Sequence, residues 1–518
     1  VNLHPKSLFL FALGLILISA LFKARADTPI TGVVPHIDQL QKWDFSFGDT
    51  WDPFWADDGN LYSFSCDGRG FGNQTRNFLF NKLTGDSLAS LKGDLVNTMD
   101  EYGASSQKEA DNATWKVCGQ ECIDGVFYAF VARNVYGGDG KDPTFRQSSF
   151  NASLIKSTDK GLTWTRTAKE NYATPMWPGG RFGAPGFFHF GKDGGHVSQD
   201  GADQYVYAIS NNGFWDGGDN FILGRVRRSD LPKLNAADWT YLSGDDGTDA
   251  ANWSSDVNKA RLIVNLPGKC GWTSPTFIPA LHCYVLISWY VTPAFTDKSS
   301  WFNPNEVKYD FLQAQHPWGP WTPIGSLSDK FMVGSHMYGP NICPDFQHQE
   351  NGGVEVSLFT SGCPFEDLPT GLYKLWEIPL LLKTTPTEPS YIVNDDNPRI
   401  VYQGDWQPSA KRNYHDIQDD VHSTNKLGAS AELKFTGTGV DLISEKNSDM
   451  GAMDIYLDGH LEKTARLWIT DFPRLAGVTV FHAENLGSGE HTIKAINKSG
   501  AFGMIDAFRI YGSSPPSP

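Results

Sequence analysis

Two short stretches of this chain hold paired carboxylates. "GDTWDPFW" carries Asp49 and Asp52, and "FWDGGDN" carries Asp216 and Asp219. Two carboxyl groups facing one bond can serve as acid and base, or as acid and nucleophile, which is the chemistry of glycosidic cleavage. Other residues suit a sugar substrate. Trp51, Trp215, Trp272 and Tyr338 offer ring faces for stacking. Arg69, Arg133 and Arg181 offer forks for the carboxylate of an acidic sugar. Asp67 and His336 complete the binding candidates. Each has a plainer structural alternative: Asp49 in "FGDTW" can cap a turn, and His336 in "VGSHMYGPN" can be a packing residue.

These residues matter only if the fold gathers them. From residue 40 onwards helical periodicity is nearly absent and short alternating strands dominate. Residues 116–168, 181–241 and 270–323 each read as strand, turn, strand, long excursion, strand, turn and a Trp-led strand, with Trp164, Trp239 and Trp321 as markers. Two further units, one beginning at "GDTWDPFW" and one at "GPNICPDF", complete five. Four-stranded units repeating along a chain are the signature of a β-propeller. The expectation is an all-β chain with a five-bladed propeller over 36–383, seven shorter blades being the alternative. The segment "HIDQLQKWDF" is expected to supply the last blade's missing strand and so remove the exposed edge. In such a ring the strand starts and the loops after each second strand converge on one face. That places Asp49, Asp52, Asp67, Arg69, Arg133, Arg181, Asp216, Asp219 and His336 together.

After Lys383, "TTPTEPS" (384–390) reads as a linker. Residues 391–512 then alternate cleanly in strands such as "GAMDIYLDGH" and "GEHTIKAINKS", as a β-sandwich jelly roll does. The tail 513–518 is expected to be disordered.

The motifs also carry resemblances. "SLIKSTDKGLTWTRT", with Ser157, Asp159, Gly161, Thr163 and Trp164 at alternating positions, resembles the Asp-box of sialidases and other β-propeller proteins. The propeller resembles that of five-bladed glycoside hydrolases of the arabinanase and fructosidase type. In that family an Asp near the start of the first blade is base or nucleophile, which implies Asp49 or Asp52. No residue aligns with the family's general-acid Glu, so Asp216 and Asp219 are the candidates for that role. The segments "ELKFTGTGVDLI", "MDIYLDG" and "LGSGEHTIKAIN…IDAFRIY" resemble galactose-binding-like jelly rolls appended to secreted carbohydrate-active enzymes.

Composition bounds the setting. Lys6, the apolar run 7–22 and "ARA" (24–26) read as a signal peptide over 1–26, with a membrane anchor as the alternative; the expected location is extracellular. A net charge of −16 argues against nucleic acid or an anionic membrane as partner and is compatible with a glycan. A monomer is expected. Seven cysteines suggest disulfides, with Cys118 near Cys122, Cys270 near Cys283, Cys343 near Cys363, and Cys66 left over. No cofactor or metal is expected, although the acidic loop 244–253 could hold a structural Ca²⁺. No H-E-x-x-H, G-x-S-x-G or P-loop occurs.

Three functions fit these residues. The first is a secreted glycoside hydrolase acting on a polysaccharide. The second is a polysaccharide lyase in which His336 or a tyrosine takes the proton α to a uronate, with Arg181 or Arg69 at the carboxylate. The third is a non-catalytic glycan-binding protein.

Overall fold

The computed structural model describes residues 30–512, apart from 86, 137–145, 196–198, 202–203, 293–305, 329–336, 351, 363–372, 385–389, 413, 415, 469–473 and 488. The expected signal peptide, His336, Cys363, most of the expected linker and the tail lie outside the described residues.

The chain is all-β, made of many antiparallel sheets, and consistent with a propeller followed by a sandwich. Five sheets follow one another up to Lys383. Their innermost strands are Phe47–Asp49, Thr114–Ile123, Pro185–Phe187, Thr276–Ile278 and Met337–Ile342. Within each sheet the following strands pair outward in chain order. Strands of successive sheets touch, and Phe47–Asp49 touches Gly353–Gly362 and Leu375–Lys383 of the fifth sheet. The fifth sheet is completed from the other end of the chain: Gly32–Pro35 pairs with Leu380–Lys383. Of the segment expected in this role, only Gln41–Lys42 pairs there.

Five apolar clusters fill the junctions between neighbouring sheets, which explains the aromatic content. Phe64, Phe80 and Phe127 join the first sheet to the second. Phe130, Phe187 and Trp239 join the second to the third. Phe188, Tyr207 and Tyr284 join the third to the fourth, and Trp289, Tyr309 and Trp376 the fourth to the fifth. Trp51, Leu83 and Phe359 join the fifth to the first. Each fully buried aromatic contributes about 1.5–3 kcal/mol, so wedges of this kind dominate the stability of the ring. The turn at 157–164 is closed by its own side chains. Asp159 accepts from the Thr163 N–H at 2.9 Å and from the Thr163 hydroxyl at 2.6 Å, while the Trp164 indole donates to the Gly161 carbonyl at 3.1 Å. Asp159 is therefore a structural residue.

Three more sheets follow from Ser390. Alternation sets their core: Met453, Ile455 and Leu457 point in, while Asp454 and Tyr456 are only half-buried. Ile37 of the first part packs into this same core, and Lys383 Nζ lies 3.7 Å from Glu484 of the second.

The disulfide expectation fails. All six described cysteines are buried free thiols. Cys118 packs on the junction with the third sheet and Cys122 on the junction with the first, so the two face opposite sides of one strand. Cys270 and Cys283 are divided in the same way between the third and fifth sheets.

Candidate active site

The segment 47–52 builds the site. Phe47–Asp49 pairs with Cys66–Gly70 across a register shift. The strands approach so closely that a Cβ on Gly68 would lie 2.1 Å from the Phe47 carbonyl oxygen. Only glycine fits there. Thr50 (φ 55°) and Asp67 (φ 47°) both sit in the left-handed region, strain of a kind that collects at functional sites.

Asp49 is almost fully buried. Its Oδ2 accepts hydrogen bonds from the Tyr338 hydroxyl at 2.5 Å and the Tyr373 hydroxyl at 2.9 Å, and Thr50 Oγ1 donates to Oδ1 at 3.3 Å. Burial pushes this carboxyl up to about 6; the Asp67 charge adds to the rise, and Lys116 and the two tyrosines oppose it. Asp67 lies beside it in a different setting. Its Oδ2 pairs with the Lys116 ammonium and accepts from the Tyr136 hydroxyl at 3.0 Å. Burial alone would lower the Lys116 ammonium, but the charges of Asp67, Tyr136 and Asp49 hold it well above its ordinary value. Tyr373 also reaches the Asp67 carbonyl at 3.4 Å. Phe47 meets Tyr373 edge-on, and the Arg69 guanidinium stands 5.1 Å over the Phe47 ring.

A second, buried polar group draws residues from segments belonging to all five sheets. Asp52 Oδ1 lies 3.0 Å from His189 Nε2, and His189 Nδ1 lies 2.7 Å from Glu121 Oε2. Ser274 Oγ donates to Asp52 Oδ2 at 2.8 Å. The Ser274 N–H donates to Asn341 Oδ1 at 3.1 Å, and Asn341 Nδ2 returns to the Trp51 carbonyl at 3.5 Å. Asp52, Glu121, His189 and Asn341 are each 0 % exposed. Burial alone would push the His189 imidazolium down; the charges of Asp52 and Glu121 outweigh it and hold it up to about 10. Burial in turn pushes the Glu121 carboxyl up. The inner strands meet tightly here: a Cβ on Gly186 would lie 1.9 Å from the Thr273 carbonyl oxygen.

The structure thus gathers Asp49, Asp67 and Tyr338 at one place, with Arg69 at its edge. Trp272 packs close by, its ring 4.0 Å from where a Cβ on Gly339 would stand; the remaining described candidates are held in other settings. Asp52 points down the axis, fully buried. Asp216 is also fully buried and accepts from the Gln147 N–H at 2.8 Å. Asp219 is held by Arg146 at 2.8 Å, by Asn212 and by the Gly268 N–H. Burial would raise its carboxyl, but these three partners keep it below its usual range. The expected shared mouth for the four carboxylates is therefore not formed. Arg133 is buried in a two-point pair with Asp111, and Arg181 donates to the Ala260 carbonyl. Trp51 is sealed inside a junction and donates to the Gly48 carbonyl. Trp215 and Trp272 stack on each other at 5.2 Å, both buried. In the acidic loop 244–253, Asp246 and Asp249 accept from Thr248 and Ala251. Among the described residues no group of His, Cys, Asp and Glu is placed to hold a metal ion, and no helix is long and apolar enough to cross a membrane.

Sequence reasoning placed Tyr136 on the site face, missed Lys116 and Tyr373 and passed over Glu121. Lys116 and Glu121 sit in "TWKVCGQECI", where charges interrupt a strand that is buried throughout. That interruption was the available signal.

No protein-family model matches this chain. Two curated proteins of Flavonifractor plautii match parts of it. The A type blood α-D-galactosamine galactosaminidase is 31% identical over 126 residues, 24% of this chain and 11% of that protein. The A type blood N-acetyl-α-D-galactosamine deacetylase is 28% identical over 114 residues, 21% of this chain and 14% of that protein. The chain therefore spans only a small part of the length of these relatives. Among solved structures, the exo-β-1,3-galactanase of Phanerochaete chrysosporium with galactose aligns over 90% of this chain and 96% of its own, at 11% identity and a TM-score of 0.39.

Proposed function

We propose that this chain is a secreted carbohydrate-active enzyme, a glycoside hydrolase whose five-bladed propeller carries the reaction at Asp49 and Asp67. The carrying observation is the contrast between these two carboxyls. Burial keeps the Asp49 proton on up to about pH 6, so this group can donate to a leaving oxygen. Asp67 is paired with the Lys116 ammonium. Two carboxyl groups in contrasting settings, flanking one bond, are what glycosidic cleavage uses. The partial likeness to two enzymes named for galactosamine-bearing glycans makes galactose- and galactosamine-containing glycans the first substrates to test. The sandwich is assigned as an accessory, sugar-binding or packing, module.

The lyase reading needs a base for the proton α to a uronate. Burial pushes the Tyr136 phenol up to about 12 and the Tyr373 phenol well above its ordinary value, which is unfavourable for a phenolate. The test is release of reducing ends from a panel of galactan, arabinan, mucin-type and uronate-containing glycans, with Asp49→Asn as control. Release by the wild type and not by Asp49→Asn supports the proposal. Unsaturated products, or retention of glycan without cleavage, would overturn it in favour of a lyase or a lectin.

A further inference from the structure

We infer that the axial polar group is a positioning device for Asp49, in which Asn341 and Ser274 act on the catalytic carboxyl through the backbone of Trp51 and Asp52. This rests on the assignment of Asp49 above.

The segment carrying Asp49 is pinned at every residue that follows it. Thr50 is in the left-handed region, and its hydroxyl touches Asp49. The Trp51 carbonyl accepts from Asn341, and the Trp51 indole donates to the Gly48 carbonyl at 2.9 Å. The Asp52 N–H donates to Ser63 Oγ at 3.1 Å, and the Asp52 carboxylate is tied to His189 and Ser274. Asn341 and Tyr338 lie on the same short strand, Met337–Ile342. One strand therefore holds the catalytic carboxyl directly through a phenol and its backbone through an amide.

The strain fits this reading. A threonine held at φ 55° is strained and persists only where its surroundings over-determine it. Here the over-determination comes from the axial group. The Trp51 carbonyl that Asn341 reaches lies two residues from Asp49. None of these residues needs to touch substrate.

The experiment uses Asn341→Ala and Ser274→Ala, each alone and combined with Asp49→Asn, in the full chain. The expected result is a fall in kcat of about ten- to hundredfold with KM changed less than about twofold, as for a misplaced catalytic group. The limb of the pH profile belonging to Asp49 should also move. Combined with Asp49→Asn, which keeps glycan binding, neither substitution should weaken that binding more than about twofold, because the effect is exerted through the carboxyl and not on substrate. Ser274→Ala removes one hydroxyl and decides the matter if Asn341→Ala does not fold. A lower Tm with kcat and pH limb unchanged, or glycan binding lost in the Asp49→Asn background, would overturn the inference. Wild-type activity in Asp49→Asn would instead refute the functional assignment itself, so the two failures are distinguishable.

Discussion

The Tyr338 hydroxyl donates to Asp49 Oδ2 at 2.5 Å, joining the fifth sheet to the first across 289 residues of sequence. The same oxygen receives the Tyr373 hydroxyl. A charged carboxylate bound by two phenols is favoured over the neutral form, yet burial wins and the group stays up at about 6. The Lys116 charge and the two phenols together limit how far burial raises this acid.

Tyr338→Phe removes one of the bonds that favour the anion. The Asp49 carboxyl should rise further, by about half a unit to one unit, since a hydrogen bond to a charged group contributes about 1.5–3 kcal/mol before relaxation. The limb assigned to Asp49 in a kcat–pH profile should shift to higher pH. A shift to lower pH would contradict the assignment.

Lys116→Met should leave Asp67 without its ammonium in a largely buried place. The expected loss is about 3–5 kcal/mol of stability, as for one broken partner of a buried pair. Denaturant titration measures it. The double variant Lys116→Met/Asp67→Asn should recover most of the loss, because no uncompensated charge then remains.

His189 gives the fold a pH dependence. Its folded value, about 10, lies above the unfolded value of 6.5, so the native state binds the extra proton between these limits. Its contribution is complete below pH 6.5 and is lost as pH rises towards 10. Thermal melts across that window should show a falling Tm. His189→Gln should be less stable at neutral pH and should flatten the fall over this window.

Thiol accounting checks the absence of disulfides. Native protein should react slowly with a thiol reagent, because all six described thiols are buried. After denaturation without reductant, at least six of the seven should react. Recovery of only one would restore the disulfide expectation.

Much of the sheet order was legible because each unit is local: Trp164, Trp239 and Trp321 mark the turns, and alternation marks the strands. Asp49 was legible for the same reason, since it ends the first inner strand. Asp52 was misplaced because the left-handed Thr50 turns the chain, leaving the second carboxyl along the axis instead of beside the first. Tyr373 and Lys116 were illegible because their roles depend on contacts between sheets, with no local spacing to show them. The cysteine pairs failed for a related reason. Sequence proximity suggested bridges, whereas the strand directs each partner to a different junction.

The most direct measurement is the pH dependence of glycan cleavage by the wild type beside Asp49→Asn, with glycan binding followed in parallel. The account predicts activity that falls as pH rises past about 6, and loss of cleavage in Asp49→Asn with binding kept. Undiminished cleavage by Asp49→Asn, or a profile flat through that region, would contradict it.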